Sequence, residues 1–458
     1  MEIIVSVLRG LLGVGVVVLI AWLLSRDRRA VSWRLVGGGL LLQLLIVCMI
    51  RYVPLVVDLF QVVGEGFLLL LDFTDEGVRF LLGEYYPTSV GASILVHSFP
   101  LIIFFSALVS VLYYWGLIQW LVRGLGWVLR RCMRGVSGVE GLVASGNVFL
   151  GMTESPLLIR PYLARMTTSE IFVVLVSGFG TISGSLIGVY LSIISQGNPT
   201  DSLALTQTLL SACLIAAPAS IVISKIICPS APSEIKEHCL LEQDEVKSKD
   251  LLCEASPKDG IAPDEDQCVE ERASNLFDAI VSGTTVGLRL MVNVVAMLLV
   301  FVALLALINH LFGVVGDATG LNACAVEWSD GRASGFTLEF LLGLLLSPVA
   351  WLIGVPAADI QLVGSLMGLK IALNEFVGYL QLQSWMVEGV FSSPKSVYLS
   401  VYLLCGFANF SAIGIMLGGL TILAPERRAE ITRYGLLAMF GGTLVSWLSA
   451  AMVGMLII

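Results

Sequence analysis

Charge is what this sequence has least of. Only 13% of its 458 residues are charged and 57% are apolar, whereas a soluble globular domain carries about a quarter charged residues. That excludes a soluble fold and points to a protein solvated by lipid. The weak alternation of outer-membrane strands is missing too, while apolar runs reach roughly 20 residues, so a helical bundle is implied and a barrel excluded. The nine cysteines are scattered without CxxC or Cys/His spacing, and they imply neither disulfides nor a metal centre. No Ser/His/Asp, Cys/His, metal-binding or phosphate-cradling set is present, which argues against an enzyme.

The net charge of -9 resides almost entirely in one segment. Residues 229–272 hold five Lys/Arg against thirteen Asp/Glu, contributing -8 of it, so the charge says nothing about a substrate. Rich in Ser and Pro, that segment reads as a disordered insert. Elsewhere the basic residues form three clusters: Arg26, Arg28, Arg29 and Arg34; Arg123, Arg130, Arg131 and Arg134; and Arg427, Arg428 and Arg433. Spans drawn from apolarity alone put all three clusters on one side, which the positive-inside rule makes cytoplasmic. The run Ile3 to Leu24 precedes its basic cluster, the reverse of a signal peptide, and so reads as a first span.

Eight spans result, with both termini outside. They are Ile3 to Leu24, Val36 to Ile50, Leu95 to Trp120, Ile171 to Ser195, Leu203 to Ile227, Leu290 to Ile308, Val397 to Leu423 and Tyr434 to Ile458. Asp58 to Tyr86 carries Asp72, Asp75, Glu76 and Arg79, too polar to span, and is expected at the outer interface. The second basic cluster is expected on a cytoplasmic amphipathic helix. His97 and His310 fall near span ends and read as interfacial. From Leu341 to Val355 the chain looks broken by Pro348 and Pro356.

Polar groups interrupt apolar sequence at four places, where unsatisfied groups would cost several kcal/mol in hydrocarbon. These are Ser145 to Pro156 (SGNVFLGMTESP), Gly178 to Leu186 (GFGTISGSL), the pair Asn374 and Glu375, and Gly406 to Ala412 (GFANFSA). Taken alone, small residues in a span favour close helix packing; Glu154 and Glu375 are different, because intramembrane carboxylates are costly and normally functional. The four places form two sets, each a re-entrant hairpin with an acid, a span interrupted near its centre, and a final span. The sets start from opposite sides, so they form the inverted repeat from which secondary transporters build a midplane site. The chain then divides into N-terminal scaffold helices (1–120), a first transport repeat (121–227), the acidic loop (228–272), an interfacial helix with a scaffold span (273–335) and a second transport repeat (336–458).

At these residues the sequence resembles the concentrative nucleoside transporters, sodium-type subgroup. The likeness is carried by Gly151 to Leu163 (GMTESPLLIRPYL), Met166 to Glu170 (MTTSE) running into Gly178 to Gly184, Pro348 to Pro356 (PVAWLIGVP), Gly368 to Tyr379 (GLKIALNEFVGY) and Leu404 to Ser411 (LCGFANFS). The resemblance implies a homotrimer in the inner membrane, each protomer a scaffold plus a transport domain moving as an elevator. It implies that Gly151, Met152, Thr153 and Glu154 face the nucleobase, that Leu186 and Phe407 pack on it, and that Glu375, Asn409 and Ala412 line the ribose. A sodium site at Asn147, Leu150, Thr181 and Ile182 is implied as well. Such oxygen-rich positions suit a hard cation, and the carboxylates, amides and apolar faces suit a neutral, hydroxyl-rich solute.

Two positions depart from the family pattern. Met152 stands where glutamine is usual, and a thioether cannot offer a base an amide's donor and acceptor. Ala412 stands where serine is common, removing one ribose contact. Sodium-coupled import is the leading expectation; proton coupling through Glu154 or Glu375 is an alternative, and a non-transporting nucleoside-binding receptor or enzyme another.

Overall fold

The computed structural model describes residues 2–83, 99–197, 202–230, 274–329 and 334–456. The acidic segment beyond Ser230, His97, the turn at Asn198 and Pro199, and Asp330 lie outside them. Every regular element among the described residues is helical.

Helices α1 (Glu2–Leu23) and α2 (Trp33–Tyr52) coincide with the first two apolar runs. Arg9 interrupts α1, and its guanidinium donates to the Trp351 and Val355 carbonyls at 2.7 and 2.8 Å. Helix α3 covers Pro54–Leu82. It departs from the interfacial reading in one respect, for by length and composition it qualifies as a candidate span. Asp72, Asp75, Glu76 and Arg79 gather toward its C-terminal end, and the 18 residues before them carry only Asp58 and Glu65 as charged groups.

The expected span Leu95 to Trp120 is cut short. Helix α4 (Phe99–Tyr114) ends at Gly116, whose φ of +79° is open only to residues tolerating a left-handed backbone, and α5 (Leu117–Cys132) leaves at 76°. Residues from Leu117 onward therefore belong to the amphipathic helix. That helix buries Ile118, Val122, Gly126 and Leu129 and exposes Arg123, Arg130 and Arg131, so three of the four arginines lie on the exposed face of an amphipathic helix and Arg134 follows its end.

The first hairpin is α6 (Gly138–Phe149) followed by a 3-10 helix, Ser155–Arg165. The next span divides into α7 (Thr168–Gly180) and α8 (Gly184–Gly197), and α9 (Ser202–Ile227) completes the set. Helix α10 runs unbroken over Leu276–Thr319, opened by Asn275, whose side chain accepts from the Asp278 amide at 3.0 Å. At 44 residues it is about 66 Å long, twice a hydrocarbon core of about 30 Å. It thus merges the expected span Leu290 to Ile308 with long extensions. The short α11 (Leu321–Trp328) follows.

Helix α12 (Leu338–Ile353) passes through Pro348 without ending, so that proline is not a break. The chain stops helical at Gly354, with φ +106°. The second hairpin is α13 (Ile360–Ala372) and α14 (Glu375–Val387). Its companion span divides into α15 (Pro394–Leu404) and α16 (Phe410–Leu423), each too short to cross alone, and α17 (Arg428–Gly454) closes the fold. Among the described residues seven helices are long and apolar enough to cross a membrane, or eight when the bent α4–α5 pair counts as one. The broken α15–α16 span is not among those eight, so the expected span list and the helix list differ at α3 and α15–α16.

Burial is uneven. The most apolar window of the candidate span over α7 and α8 is 94% buried within the chain and that of α9 is 89%, whereas that of α10 is 0%, its buried residues being Ala279, Gly283, Gly287 and Gly316. The core cluster draws buried residues from α1, α2, α4 to α9 and α12 to α17, whereas α3 and α10 bury few residues.

Candidate functional site: two broken spans between two hairpin tips

In the first repeat, capping boxes anchor the start of α6 and the start of α7. Ser137 caps α6 and receives a reciprocal bond from Glu140, whose Oε2 accepts the Ser137 amide at 2.9 Å. Thr167 and Glu170 repeat that box at the start of α7, with the Glu170 carboxylate accepting the Thr167 amide at 2.8 Å. Glu140 is also ion-paired with Lys225 of α9, both side chains buried. The Lys225 ammonium donates to Ser169 Oγ at 3.0 Å and Ser230 Oγ at 2.7 Å.

At the tip of the first hairpin α6 ends at Leu150, its C-cap, whose amide donates to the Gly146 carbonyl at 2.8 Å. Asn147 is fully buried two residues before the helix end. Its Nδ2 donates to Ser177 Oγ at 2.9 Å, and its Oδ1 accepts from Ser155 Oγ at 2.7 Å. Thr181 is the C-cap of α7 and its hydroxyl donates to the Ser177 carbonyl at 3.0 Å. The tip lies against the break in the span: a Cβ placed on Gly184 would fall 2.3 Å from the Phe149 carbonyl oxygen, and one on Gly151 would fall 3.2 Å from Ser183 Oγ. Only glycine permits the first approach.

Asn147, Leu150, Thr181 and Ile182 are therefore brought together where the C-termini of α6 and α7 converge. Helix C-termini concentrate unpaired carbonyls and negative dipole. Asn147 Oδ1 and Thr181 Oγ1 both keep lone pairs beyond the bonds described. This neutral oxygen set fits a monovalent hard cation such as sodium. Among the described residues no group of three or more His, Cys, Asp or Glu could hold a metal ion.

The second hairpin reverses at Leu373, and Asn374 caps α14, its Oδ1 accepting the Val377 amide at 2.9 Å. Glu375 follows, 6% exposed. Its Oε1 accepts the Tyr190 hydroxyl of α8 at 2.8 Å, and its Oε2 accepts Nδ2 of Asn409 at 2.8 Å. Asn409 also caps α16, with Oδ1 accepting the Ala412 amide at 2.8 Å and Ser411 Oγ at 2.7 Å. An acid from a hairpin, a phenol from one broken span and an amide from the other thus form one buried cluster. Lys370 lies one turn earlier on α13; its ammonium donates to the Leu403 carbonyl at 2.8 Å, the Cys405 carbonyl at 3.3 Å and Ser446 Oγ at 2.8 Å.

The two breaks touch. The Phe407 amide donates to the Thr181 carbonyl at 3.3 Å, and Gly406, at φ +123°, brings its Cα against Phe179 and Gly180, where a Cβ would meet their carbonyl oxygens at 3.0 and 3.1 Å. Met152 is buried where a Cβ on Gly178 would meet its Cβ at 3.1 Å and the Met416 methyl at 2.9 Å. Thr153, at the exposed edge, approaches Gly419, whose added Cβ would lie 3.7 Å from its methyl. Gly419 is ten residues along α16 from Asn409, or about 15 Å at 1.5 Å per residue. Hence Thr153 does not join the Glu375–Asn409 cluster; the tip contacts α16 nearly three turns away. Glu154 is half-buried at the start of the 3-10 helix, its amide bonded to the Gly151 carbonyl at 3.1 Å. Leu186 is buried in the first turn of α8, and Phe407 and Ala412 are buried at the second break.

Sequence reasoning missed Tyr190, Lys370 and the Glu140–Lys225 pair. Tyr190 sits in an apolar stretch and carries no local signal. Lys370, Glu140 and Lys225 are ionisable groups inside apolar sequence, the signal that singled out Glu154 and Glu375.

Discontinuous helices meeting at a buried polar centre define a class, the helical membrane transporter with paired broken spans. Comparisons with known proteins agree. Residues 208–454 match the family described as Na+ dependent nucleoside transporter C-terminus, residues 12–85 its N-terminus, and residues 95–197 a domain described as Nucleoside recognition. An uncharacterized transporter of Haemophilus influenzae is 33% identical over 99% of this chain and 98% of its own length. The sodium/nucleoside cotransporter 2 of Rattus norvegicus is 36% identical over 97% of this chain, which spans 62% of that longer protein. The solved structure of CNTnw in an inward-facing substrate-bound state superposes with a TM-score of 0.81 at 33% identity, covering 98% of this chain and 97% of that one. A doubly substituted CNTnw in an outward-facing state gives 0.83 at 32% identity, with 99% of each chain covered. The chain belongs to the concentrative nucleoside transporter family, a family of multi-pass membrane transporters and not of enzymes.

Proposed function

We propose that this protein carries nucleosides inward across the inner membrane, one sodium ion site and one nucleoside site being occluded together between the two hairpins. The observation that carries the reading is the contact of the two breaks, Phe407 amide to Thr181 carbonyl, which joins the candidate cation oxygens to the Glu375–Tyr190–Asn409 cluster through a few residues of unwound backbone. A carboxylate and an amide there can accept and donate to ribose hydroxyls, Phe407 and Leu186 supply apolar faces for the base, and Met152, Thr153 and Glu154 bound the far end. Sodium is supported as the coupling ion by the neutral oxygen set at the converging C-termini of α6 and α7 and by the sodium/nucleoside cotransporters among the relatives.

The same reading makes the protein a homotrimer with both termini outside, in which α1 to α4 and α10 to α11 form a scaffold and the two repeats, the first including α5, move as an elevator. The high burial of α7 to α9 and the exposure of the most apolar window of α10 suit that division. Counterflow of labelled uridine in proteoliposomes tests it. Accumulation that collapses when choline replaces sodium at constant pH is expected. Accumulation indifferent to the replacement rejects sodium coupling, and its absence rejects transport of this substrate.

A further inference from the structure

The two repeats match in more than outline. In each, the first limb of the hairpin ends against the end of the first half of the broken span: α6 against α7 in one, α13 against α15 in the other. Both pairs present converging, buried C-termini, with C-caps Leu150 and Thr181 in the first repeat and Leu373 and Cys405 in the second. Such a pair of negative dipole ends inside apolar surroundings needs positive charge. Two residues before the end of the hairpin limb, the first repeat carries Asn147 and the second carries Lys370. Asn147 reaches α7 with a neutral amide, donating to Ser177 Oγ at 2.9 Å. Lys370 reaches α15 with an ammonium that takes three oxygens, the Leu403 and Cys405 carbonyls and Ser446 Oγ, at 2.8, 3.3 and 2.8 Å. Ser446 in turn donates to the Cys405 carbonyl at 2.8 Å, so the oxygens form one closed cage.

From this correspondence we propose that Lys370 is a tethered cation, filling in the second repeat the place that the coupling ion takes in the first. It is a positioning residue: it holds the last-turn carbonyls of α15 and thereby the break that presents Phe407 and Asn409. Only the first repeat, whose equivalent side chain is uncharged, then loads and releases an ion, so a single exchangeable cation accompanies each nucleoside. The inference rests on the sodium site proposed above.

The test uses the full-length wild type, Lys370→Met and Lys370→Ala, measuring uridine uptake and the charge moved per uridine in proteoliposomes, and the melting temperature of each purified protein. One charge per uridine is expected for wild type. Lys370→Met, which keeps the chain length but removes the ammonium, is expected to take up uridine at least about tenfold more slowly. Propylammonium, the fragment deleted in Lys370→Ala, is expected to raise that variant's melting temperature and uptake, whereas propan-1-ol is not. Two charges per uridine in wild type, wild-type uptake by Lys370→Met, or equal responses of Lys370→Ala to propylammonium and propan-1-ol overturns the proposal. Should Lys370→Ala not fold, the first two readouts decide. Because the melting measurement is made without sodium, wild-type uptake that ignores sodium counts against the coupling ion and is distinguishable from failure of the tethered-cation role.

Discussion

Replacing Glu375 by glutamine isolates what the buried carboxylate contributes. In the native cluster both of its oxygens accept from neutral donors, the Tyr190 hydroxyl and Asn409 Nδ2, each at 2.8 Å. Glutamine keeps the shape, its oxygen accepting from Asn409 Nδ2 and its NH2 donating to the Tyr190 hydroxyl, which can also accept, so both contacts survive only as neutral bonds. Hydrogen bonds to a charged acceptor are worth about 1.5–3 kcal/mol and neutral ones about 0.5–1.5. Losing the charge at two bonds weakens the cluster by about 2–3 kcal/mol, and 1.4 kcal/mol is a factor of ten. If ribose hydroxyls take the same oxygens, the Michaelis constant for uridine uptake in proteoliposomes rises about 30- to 150-fold. The fold is expected to persist, since exchanging a buried charge for a neutral isostere relieves desolvation, so the variant should purify with a melting temperature near that of wild type. Tyr190→Phe removes one of the two bonds and should show an intermediate loss. Uptake by Glu375→Gln with a wild-type Michaelis constant refutes the assignment of this cluster to the substrate.

Other perturbations separate the remaining parts. Asn409→Ala removes both a helix cap, worth about 1 kcal/mol, and a Glu375 partner, so uptake should vanish while melting falls by only a few degrees; undiminished uptake would count against it. Gly406→Ala places a Cβ at φ +123° about where the Phe179 and Gly180 carbonyls lie, at 3.0 and 3.1 Å. Backbone strain of about 1–3 kcal/mol plus that contact should lower the melting temperature and abolish uptake. Met152→Gln restores an amide at the buried tip, and the ratio of uptake efficiencies for two bases is expected to move about tenfold or more; an unchanged ratio would remove Met152 from the base site. Glu140→Gln or Lys225→Met alone strands a buried charge and should cost about 3–5 kcal/mol, the double variant less, which thermal unfolding of the three proteins checks.

Much of the architecture was legible because lipid makes the code simple. Apolar runs gave α1, α2, α9 and α17, and glycine and hydroxyl residues at 178–186 and 406–412 marked both breaks. The individual residues Asn147, Glu375 and Asn409 were legible as polar groups in apolar sequence. What joins them was not. Tyr190 meets Glu375 across 185 positions, a contact set by how α8 lies on α14 and not by any local pattern. The 76° turn after α4 rests on Gly116 within an apolar stretch, where glycine reads equally well as a packing residue. Pro348 misled for the opposite reason, since a helix within a packed bundle can carry a proline whose lost hydrogen bond is made good nearby.

Equilibrium binding of uridine to the purified protein, titrated in sodium and again in choline at the same ionic strength, tests the central claim most directly. If the cation oxygens at Thr181 and the ribose cluster at Glu375 and Asn409 are joined through the touching breaks, uridine should bind about 5- to 150-fold more tightly in sodium, with sodium binding strengthened equally by uridine. The same affinity in both salts would contradict the account.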